Sequence, residues 1–452
     1  MERENRAAAS DKIPMNLPTD RIRICYHNHP GEKSNPHALD CSQNSIDTQD
    51  PSSYTLTVKK QCPINRVDSY QIDIVTDYSR FRKLKNDWNR LARNDPSIYP
   101  FICFEWFDLW FTSFAKTSQM HIYLLKDSTD ICAILPLIKY RGAYKKIPGI
   151  IIKCAINEHS HKMELISDKR DVDGYVNRLM DELCREDFLV LHFEDFLADS
   201  ESAKLILNFF ENTSEKTVFS KRYDREVVVF DVSMGWDNFK QTLPKKSRKN
   251  INYLTNTLRK SGDISILRYH NYDHLPHAFE CIQQISSKSW QGRNKTGLFS
   301  RKDTRDFYKG LAEFASRDDL LSIWVLYING TPVSYEYHFH AGSNEYALKA
   351  EYDREYSNLS PGAVLDAHIV QNRSKGYTGK YDLMGYKEWY KTRWSKNTDK
   401  YITIYVFKRN LIGRTIHYVD FILRERLRKN TVARSVKNSL LQIKQFASSR
   451  FD

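Results

Sequence analysis

LLSIWVLYINGTPVSYEYHFH, Leu320–His340, is the stretch on which the fold turns. Leu320–Ile328 reads as one strand and Thr331–His340 as a second. Asn329-Gly330 between two such runs predicts a tight hairpin, because both central residues must take positive φ. Ala341-Gly342-Ser343-Asn344 then turns the chain into a third strand, Glu345–Tyr352. Tyr356-Ser357-Asn358-Leu359-Ser360-Pro361-Gly362 leads into a helical run from Ala363 to about Lys375. A short strand, Lys380–Met384, follows, and after it Gly385 and the aromatic and basic cluster from Tyr386 to Trp394.

The opening of the helix carries the first chemical suggestion. Ser360 can cap it, Pro361 suits the first turn, and Gly362 lets a ligand come close to the backbone. Free N–H groups and the helix dipole favour an anion there, so the turn is a candidate pyrophosphate site. The plainer reading is that Ser-Pro-Gly only starts a helix.

Hairpin, third strand, Tyr-Ser-x-x-Ser-Pro-Gly, helix, a strand bearing Asp382, Gly385, and then Tyr390-Lys391-Thr392-Arg393-Trp394 together resemble the second half of the BioF2-like acetyltransferases. Those are related to the CelD proteins of polysaccharide systems and fall in the GNAT superfamily. The more specific part is Gly-x-x-x-x-Tyr-Lys-x-x-Trp after the Asp-bearing strand. A fainter likeness extends from about Tyr70 to Lys408. The resemblance implies an α/β protein: two tandem GNAT-like domains with mixed, largely antiparallel sheets flanked by helices. It further implies acetyl-CoA or another acyl-CoA as co-substrate and no metal. The acyl-CoA contacts it suggests are Tyr356, Ser357, Ser360, Pro361, Gly362, Tyr390 and Lys391.

Acyl transfer to an amine needs a group to take a proton from the acceptor, and backbone N–H groups can hold the thioester oxygen. Strand alternation puts Val333, Tyr335, Tyr337 and Phe339 on one face, with Ser334, Glu336, His338 and His340 on the other. In the next strand, Glu345, Ala347, Lys349 and Glu351 alternate with Tyr346, Leu348, Ala350 and Tyr352, and the polar sides should face each other. Glu336 and His338 are therefore the leading base candidates, with Asp382 next at a strand end. The plainer reading of each is a polar residue on a solvated strand face.

The rest of the chain is read around this core. Its 452 residues exceed one ordinary core, and 41% apolar with 13% aromatic residues suits a globular protein. Boundaries are expected at 1–66 (a polar, disordered leader), 67–233 (a degenerate first GNAT-like domain), 234–407 (the acyl-CoA domain) and 408–452 (a basic helical tail). In the leader, Cys25, His27, His29, His37 and Cys41 match no standard metal spacing. The eight cysteines are scattered, without Cys-x-x-Cys, as in reduced cytoplasmic proteins. No apolar run approaches the length of a spanning helix, and the start of the chain lacks the apolar core of a secretory signal.

In the first half, helices are expected at Ser79–Ala92, Phe104–Phe114 and Val172–Arg185, a hairpin at Ile122–Ile138, and a strand at Phe188–His192. The hairpin echoes Leu320–His340, so the chain reads as duplicated. No Ser-Pro-Gly turn and helix follow it. Asn157-Glu158-His159-Ser160-His161 stands there instead, and His159 becomes a candidate acceptor contact. In the second half, Lys245-Lys246-Ser247-Arg248-Lys249 is either a solvated helix face or an anion contact through Lys245 and Arg248. Fem-type transferases carry a similar run. Trp290 opens a polar loop suited to the acceptor.

The tail from Lys408 holds eleven Lys and Arg against three acidic residues, +8 of the chain's +13. Ile416, Val419, Leu423 and Leu427 recur at helical spacing, as do Val432, Val436, Leu440 and Ile443. Two amphipathic helices could dock on the body or on anionic lipid at the inner face of the membrane. The expected partners are thus a small-molecule or glycan acceptor and that lipid surface. The competing functions are aminoacyl transfer from tRNA, as in Fem proteins, and a catalytically degenerate scaffold.

Overall fold

Asn329 and Gly330 both adopt positive φ, 49° and 76°, and the hairpin forms around them as the sequence requires. The structure is a computed structural model that describes residues 70–115, 119–128, 130–213, 215–375 and 379–429. The leader with its Cys and His residues, and the stripe from Val432 to Ile443, lie outside the described residues.

The strands are β1 (Tyr70–Val75), β2 (Gln119–Asp127), β3 (Asp130–Tyr144), β4 (Ile147–Cys154), β5 (Ile166–Ser167), β6 (Val190–Leu197) and β7 (Thr217–Asp231). They continue as β8 (Ile264–Tyr269), β9 (Leu321–Ile328), β10 (Thr331–Ala341), β11 (Asn344–Tyr352), β12 (Lys380–Asp382) and β13 (Thr398–Lys408). All join one mixed sheet in the order β1-β2-β3-β4-β6-β13-β7-β12-β11-β10-β9-β8, with β5 on the side of β3.

That order contains an internal repeat. β1 to β4 form an antiparallel run, the helix Val172–Arg185 follows, and β6 returns parallel to β4. β8 to β11 form a second antiparallel run, the helix Pro361–Arg373 follows, and β12 returns parallel to β11. The helix Val172–Arg185 forms where it is expected, and it occupies the place that the Pro361 helix takes in the second half, although no Ser-Pro-Gly turn opens it. The strand β4 and residues 155–171, which include β5, intervene and hide the correspondence. β13 lies between β6 and β7 and pairs antiparallel with both, so the last strand ties the second half to the first.

Two bulges overturn the simple split of strand faces. Pro332 pairs with Tyr327 and Ser334 with Leu326, so Val333 is an extra residue. It packs with Val364 and Leu365 of the Pro361 helix, while Tyr335, Tyr337 and Phe339 join the larger core on the other face. On β11, Tyr337 pairs with Lys349 and His338 with Ala347, which leaves Leu348 extra. A one-residue insertion exchanges the faces beyond it. Glu345 thus shares a face with His338, whereas Glu351 turns to Tyr335, whose hydroxyl donates to it at 2.7 Å. The polar side of β10 is not solvated either. Val333 to Ala341 are all buried, with the Pro361 helix lying over them.

Helix Leu411–His417 and the π-helical segment Tyr418–Leu423 follow β13. The wide π turn rotates the face. Ile416, Asp420 and Phe421 point inward, and Val419 and Leu427 of the expected stripe stay half exposed. Among the described residues, no helix is long and apolar enough to cross a membrane.

Candidate active site

β11 and β12 are paired only through Glu345 with Tyr381 and Tyr346 with Asp382. Beyond those pairs the two parallel strands part. Ala347–Ala350 of β11 and Leu383–Gly385 after β12 become the walls of a cleft of about 810 Å³. The first half supplies the remaining wall, through His159, Asp195 and Arg225. Trp290 and Gln291 of the short helix Trp290–Arg293, then Lys295–Gly297 and Arg301, border it as well.

Several cleft residues have left-handed backbone: His161 (φ 57°), Asp195 (58°), Lys295 (57°), Met384 (47°) and Gly385 (59°). Such strain collects where surrounding structure enforces it. Here one side chain supplies much of the enforcement. The buried Arg225 guanidinium donates to the His161 carbonyl, to Asp195 Oδ1 at 2.9 Å and to the Gly385 carbonyl at 3.5 Å, and it stacks on Tyr401.

The buried wall below the fork is ionic. His338 is 0% exposed and lies between two carboxylates, with Nε2 2.9 Å from Glu336 and Nδ1 2.8 Å from Glu345. Arg373 pairs with the other oxygen of Glu345 at 2.5 Å. Burial alone would push the His338 pKa down, but the bonds from Glu336 and Glu345 raise it to about 9. The ring is therefore an imidazolium. Glu336 carries this network to the cleft, which Asp366 of the Pro361 helix also lines, 3.8 Å from Arg393. Burial pushes the Asp366 carboxyl well up, and the charge of Glu336 beside it acts in the same direction. Lys349 and Lys391 line the same cleft with ammonium groups whose pKa burial lowers, and Lys391 donates to the Met384 carbonyl at 2.8 Å.

The residues singled out from sequence fall into three places. Glu336, His159, Trp290, Tyr390 and Lys391 line the cleft. His159 stacks on Phe114 at 5.3 Å, and burial, with the nearby charge of Lys349, lowers its pKa to about 4, so its ring is neutral. His338 and Asp382 stand behind the wall, both fully buried. Asp382 binds Lys162 Nζ at 2.8 Å and accepts from the Met384 N–H at 2.8 Å. Its place is the junction of the halves.

The third place is the helix start. Tyr356, Ser357, Ser360, Pro361 and Gly362 do not line the cleft. Gly362 nevertheless lies one turn before Asp366, and positions four apart share a helix face. The helix bearing Lys245 and Arg248 packs against the Arg354–Leu359 turn and the Pro361 helix. Ser360 stands at the cap position but makes no cap bond, because its backbone is left-handed (φ 50°). A Cβ on Gly362 would meet only Ser334 Oγ at 3.8 Å and Tyr352 Cδ1 at 3.9 Å. The protein's own packing does not demand glycine there. Asp366, Arg225, Glu345 and Lys349 were not singled out as site residues by sequence. The only local signal among them was the polar alternation of β11.

Residues 245–392 match the family described as an acetyltransferase (GNAT) domain. The chain carries a GNAT acyltransferase domain and is an enzyme of that class. No curated protein matches it by sequence. Several solved structures are similar. The C-terminal domain of a candidate lysylphosphatidylglycerol synthetase from Agrobacterium fabrum aligns at 10% identity with a TM-score of 0.48, over 75% of this chain and 95% of that one. FemX aligns at 10% identity and 0.44, over 68% and 92%. A tandem GNAT protein from the clavulanic acid biosynthesis pathway aligns at 8% and 0.38, over 75% and 99%.

Proposed function

We propose that the chain transfers an acyl group, acetyl in the simplest case, from acyl-CoA to an amine or hydroxyl of a sugar or related metabolite. In this reading residues 234–407 bind acyl-CoA and residues 67–233 are a degenerate copy that shapes the acceptor side. One contrast carries it. The first-half helix Val172–Arg185 has its N-terminus closed by its own Asp171, which accepts from Gly174 N–H at 3.1 Å and from Tyr70 hydroxyl at 2.7 Å. The equivalent start at Pro361 has no side-chain cap, an uncrowded glycine and a basic helix packed beside it. An anion such as the CoA pyrophosphate suits the second start and not the first.

Other features support the same reading. Backbone N–H groups of β11 past the fork are free of β12 and can hold a thioester oxygen. Glu336 on the wall suits proton removal from the acceptor. Trp290, Tyr386 and Trp389, 48%, 63% and 86% exposed, offer flat apolar faces on which the C–H side of a sugar ring can pack. A place in polysaccharide biosynthesis is consistent with such an acceptor.

The rival reading is aminoacyl transfer from tRNA, which the net charge of +13 favours. A thermal-shift screen with acetyl-CoA, longer acyl-CoAs and charged tRNA separates the two. A rise with an acyl-CoA alone supports the proposal, and a rise with charged tRNA alone overturns it.

We also propose that the C-terminal segment rests on anionic lipid. Leu411 and Ile412 are 83% and 54% exposed, in a segment that also carries Arg414, Arg424 and Arg426. Basic residues near an anionic surface contribute about 1 kcal/mol each at low salt. The full chain should sediment with phosphatidylserine vesicles at low salt, and L411S/I412S should weaken this. No binding by the wild-type chain would overturn the idea.

A further inference from the structure

We propose that Lys349 and Gln291 form a specificity subsite of the cleft, and that the group they recognise is a carboxylate with a hydroxyl or amine beside it, as a uronic or aminouronic acid presents. That the molecule so bound is the acceptor rests on the acyl-transfer reading of the cleft, but the subsite can be tested without acyl-CoA.

Lys349 of β11 is paired with Tyr337 of β10, and side chains of such pairs share a face of the sheet. Tyr337 belongs to the larger core, and its hydroxyl donates to the Tyr308 carbonyl of the helix Lys302–Arg317 at 3.1 Å. Lys349 is thus turned toward that helix and away from the Pro361 helix, along which acyl-CoA is placed. Its ammonium lies 5.7 Å from the centre of the Tyr308 ring. His159 of the first half packs edge-on against the same ring, also at 5.7 Å, so ammonium and neutral imidazole share one aromatic support.

The ammonium of Lys349 is uncommitted. Among the described residues it makes no hydrogen bond and no ion pair. Glu351, two positions on and on the same face, is saturated. It accepts from the Ser286, Ser289 and Tyr335 hydroxyls at 2.8, 2.6 and 2.7 Å and from the Leu298 N–H at 2.9 Å. Other cations of the cleft are engaged: Lys153 with Glu194 and Arg225 with Asp195, each at 2.9 Å, and Arg301 with Asp303 at 3.1 Å. Lys349 is partly buried, so it has given up water without gaining a counter-ion, and an anion from a ligand supplies one.

Gln291 presents the opposite need beside it. Its Nε2 donates at 3.4 Å to the carbonyl of Ala350, the neighbour of Lys349, which identifies Oε1 as the other end of the amide. Oε1 is buried and has no partner. A buried acceptor in that state calls for an N–H or O–H. An oxyanion and an adjacent donor on one ligand satisfy both residues. A carboxylate suits the place better than a phosphate, because a single ammonium balances a single charge and the one further acidic group near it, Glu158, stands 3.7 Å from His159 Nε2 and repels a dianion. Trp290, next to Gln291 and 48% exposed, offers the ring of a sugar a flat face.

Titrations of the full chain without acyl-CoA, followed by saturation-transfer NMR, test the subsite with D-glucuronate, D-glucose and inorganic phosphate as probes. The wild type should bind glucuronate about tenfold or more tighter than glucose, the difference that one charged hydrogen bond makes. K349M should bind the two sugars alike, and K349R should keep part of the preference. Q291L should weaken both sugars and leave the preference in place. E158Q should bind glucuronate more tightly than the wild type, with glucose unchanged. Glu158 is 74% exposed, so this variant reads the site in an intact fold. Equal binding of the two sugars by the wild type, an absence of glucuronate binding, or a preference that survives in K349M overturns the subsite, and unchanged binding by Q291L removes Gln291 from it. Phosphate that binds more tightly than glucuronate and is lost in K349M overturns the carboxylate. Binding of glucuronate through Lys349 in a chain that binds no acyl-CoA overturns the acyl-transfer reading, while the subsite stands.

Discussion

Lys162 and Asp382 meet at 2.8 Å in the interior, 6% and 0% exposed, across a sequence separation of 220 residues. The ammonium also lies against the Tyr346 and Tyr401 rings at 4.9 and 5.0 Å. This pair joins the loop that bears His159 to the strand at the fork. Removing one member leaves a buried charge without its partner, at a cost of about 3–5 kcal/mol. K162M should therefore lower the denaturant midpoint sharply, and K162M/D382L should recover most of the loss. A K162M chain as stable as the wild type would contradict this role.

His338 makes a pH-dependent contribution to stability. Its folded pKa, about 9, is raised above the ordinary 6.5 by Glu336 and Glu345 against the effect of burial. A raised histidine pKa stabilises the fold fully below pH 6.5, and the contribution is lost as pH rises through 9. Denaturant unfolding of wild type and H338Q should show a wild-type advantage that shrinks between pH 6.5 and 9. An advantage that stays constant or grows across that window would contradict the imidazolium.

Much of the second half is legible in the sequence for local reasons. Asn329-Gly330 and Ser360-Pro361-Gly362 act through their own backbones, and the strands and helix they join are where the pattern puts them. The long-range features are not legible. β13 forms only by pairing with β6 and β7, about 200 residues earlier, and nothing in Thr398–Lys408 states its partners. The bulges at Val333 and Leu348 leave no mark, yet each reverses which side chains share a face. Asp366 occupies a helix with apolar residues all round, where alternation gives no inward or outward sense. Arg225 reads as one more cation in a basic strand until the fold brings three loops to it.

Arg225 predicts its own test. A lysine keeps the charge but lacks the fork that reaches the His161 and Gly385 carbonyls and Asp195 together. R225K should leave the chain folded while amide hydrogen exchange quickens in residues 157–161 and 383–385, by about tenfold, or 1.4 kcal/mol. Unchanged exchange in both segments would show that other contacts hold the left-handed backbones.

On the acyl-transfer proposal, acyl-CoA binds along the Pro361 helix, with its phosphates at the uncapped start and its thioester in the fork. Calorimetric titration of acetyl-CoA into the wild-type chain and into G362V measures this most directly. Saturable binding by the wild type is expected, and at least tenfold weaker binding by G362V, about 1.4 kcal/mol, in a chain that still folds, since a Cβ at this position comes no closer than 3.8 Å to the side chains around it. Equal affinity of the two folded proteins for acetyl-CoA would contradict the placement of the phosphates, and an absence of binding by the wild type to acetyl-CoA and to longer acyl-CoAs would contradict the claim itself.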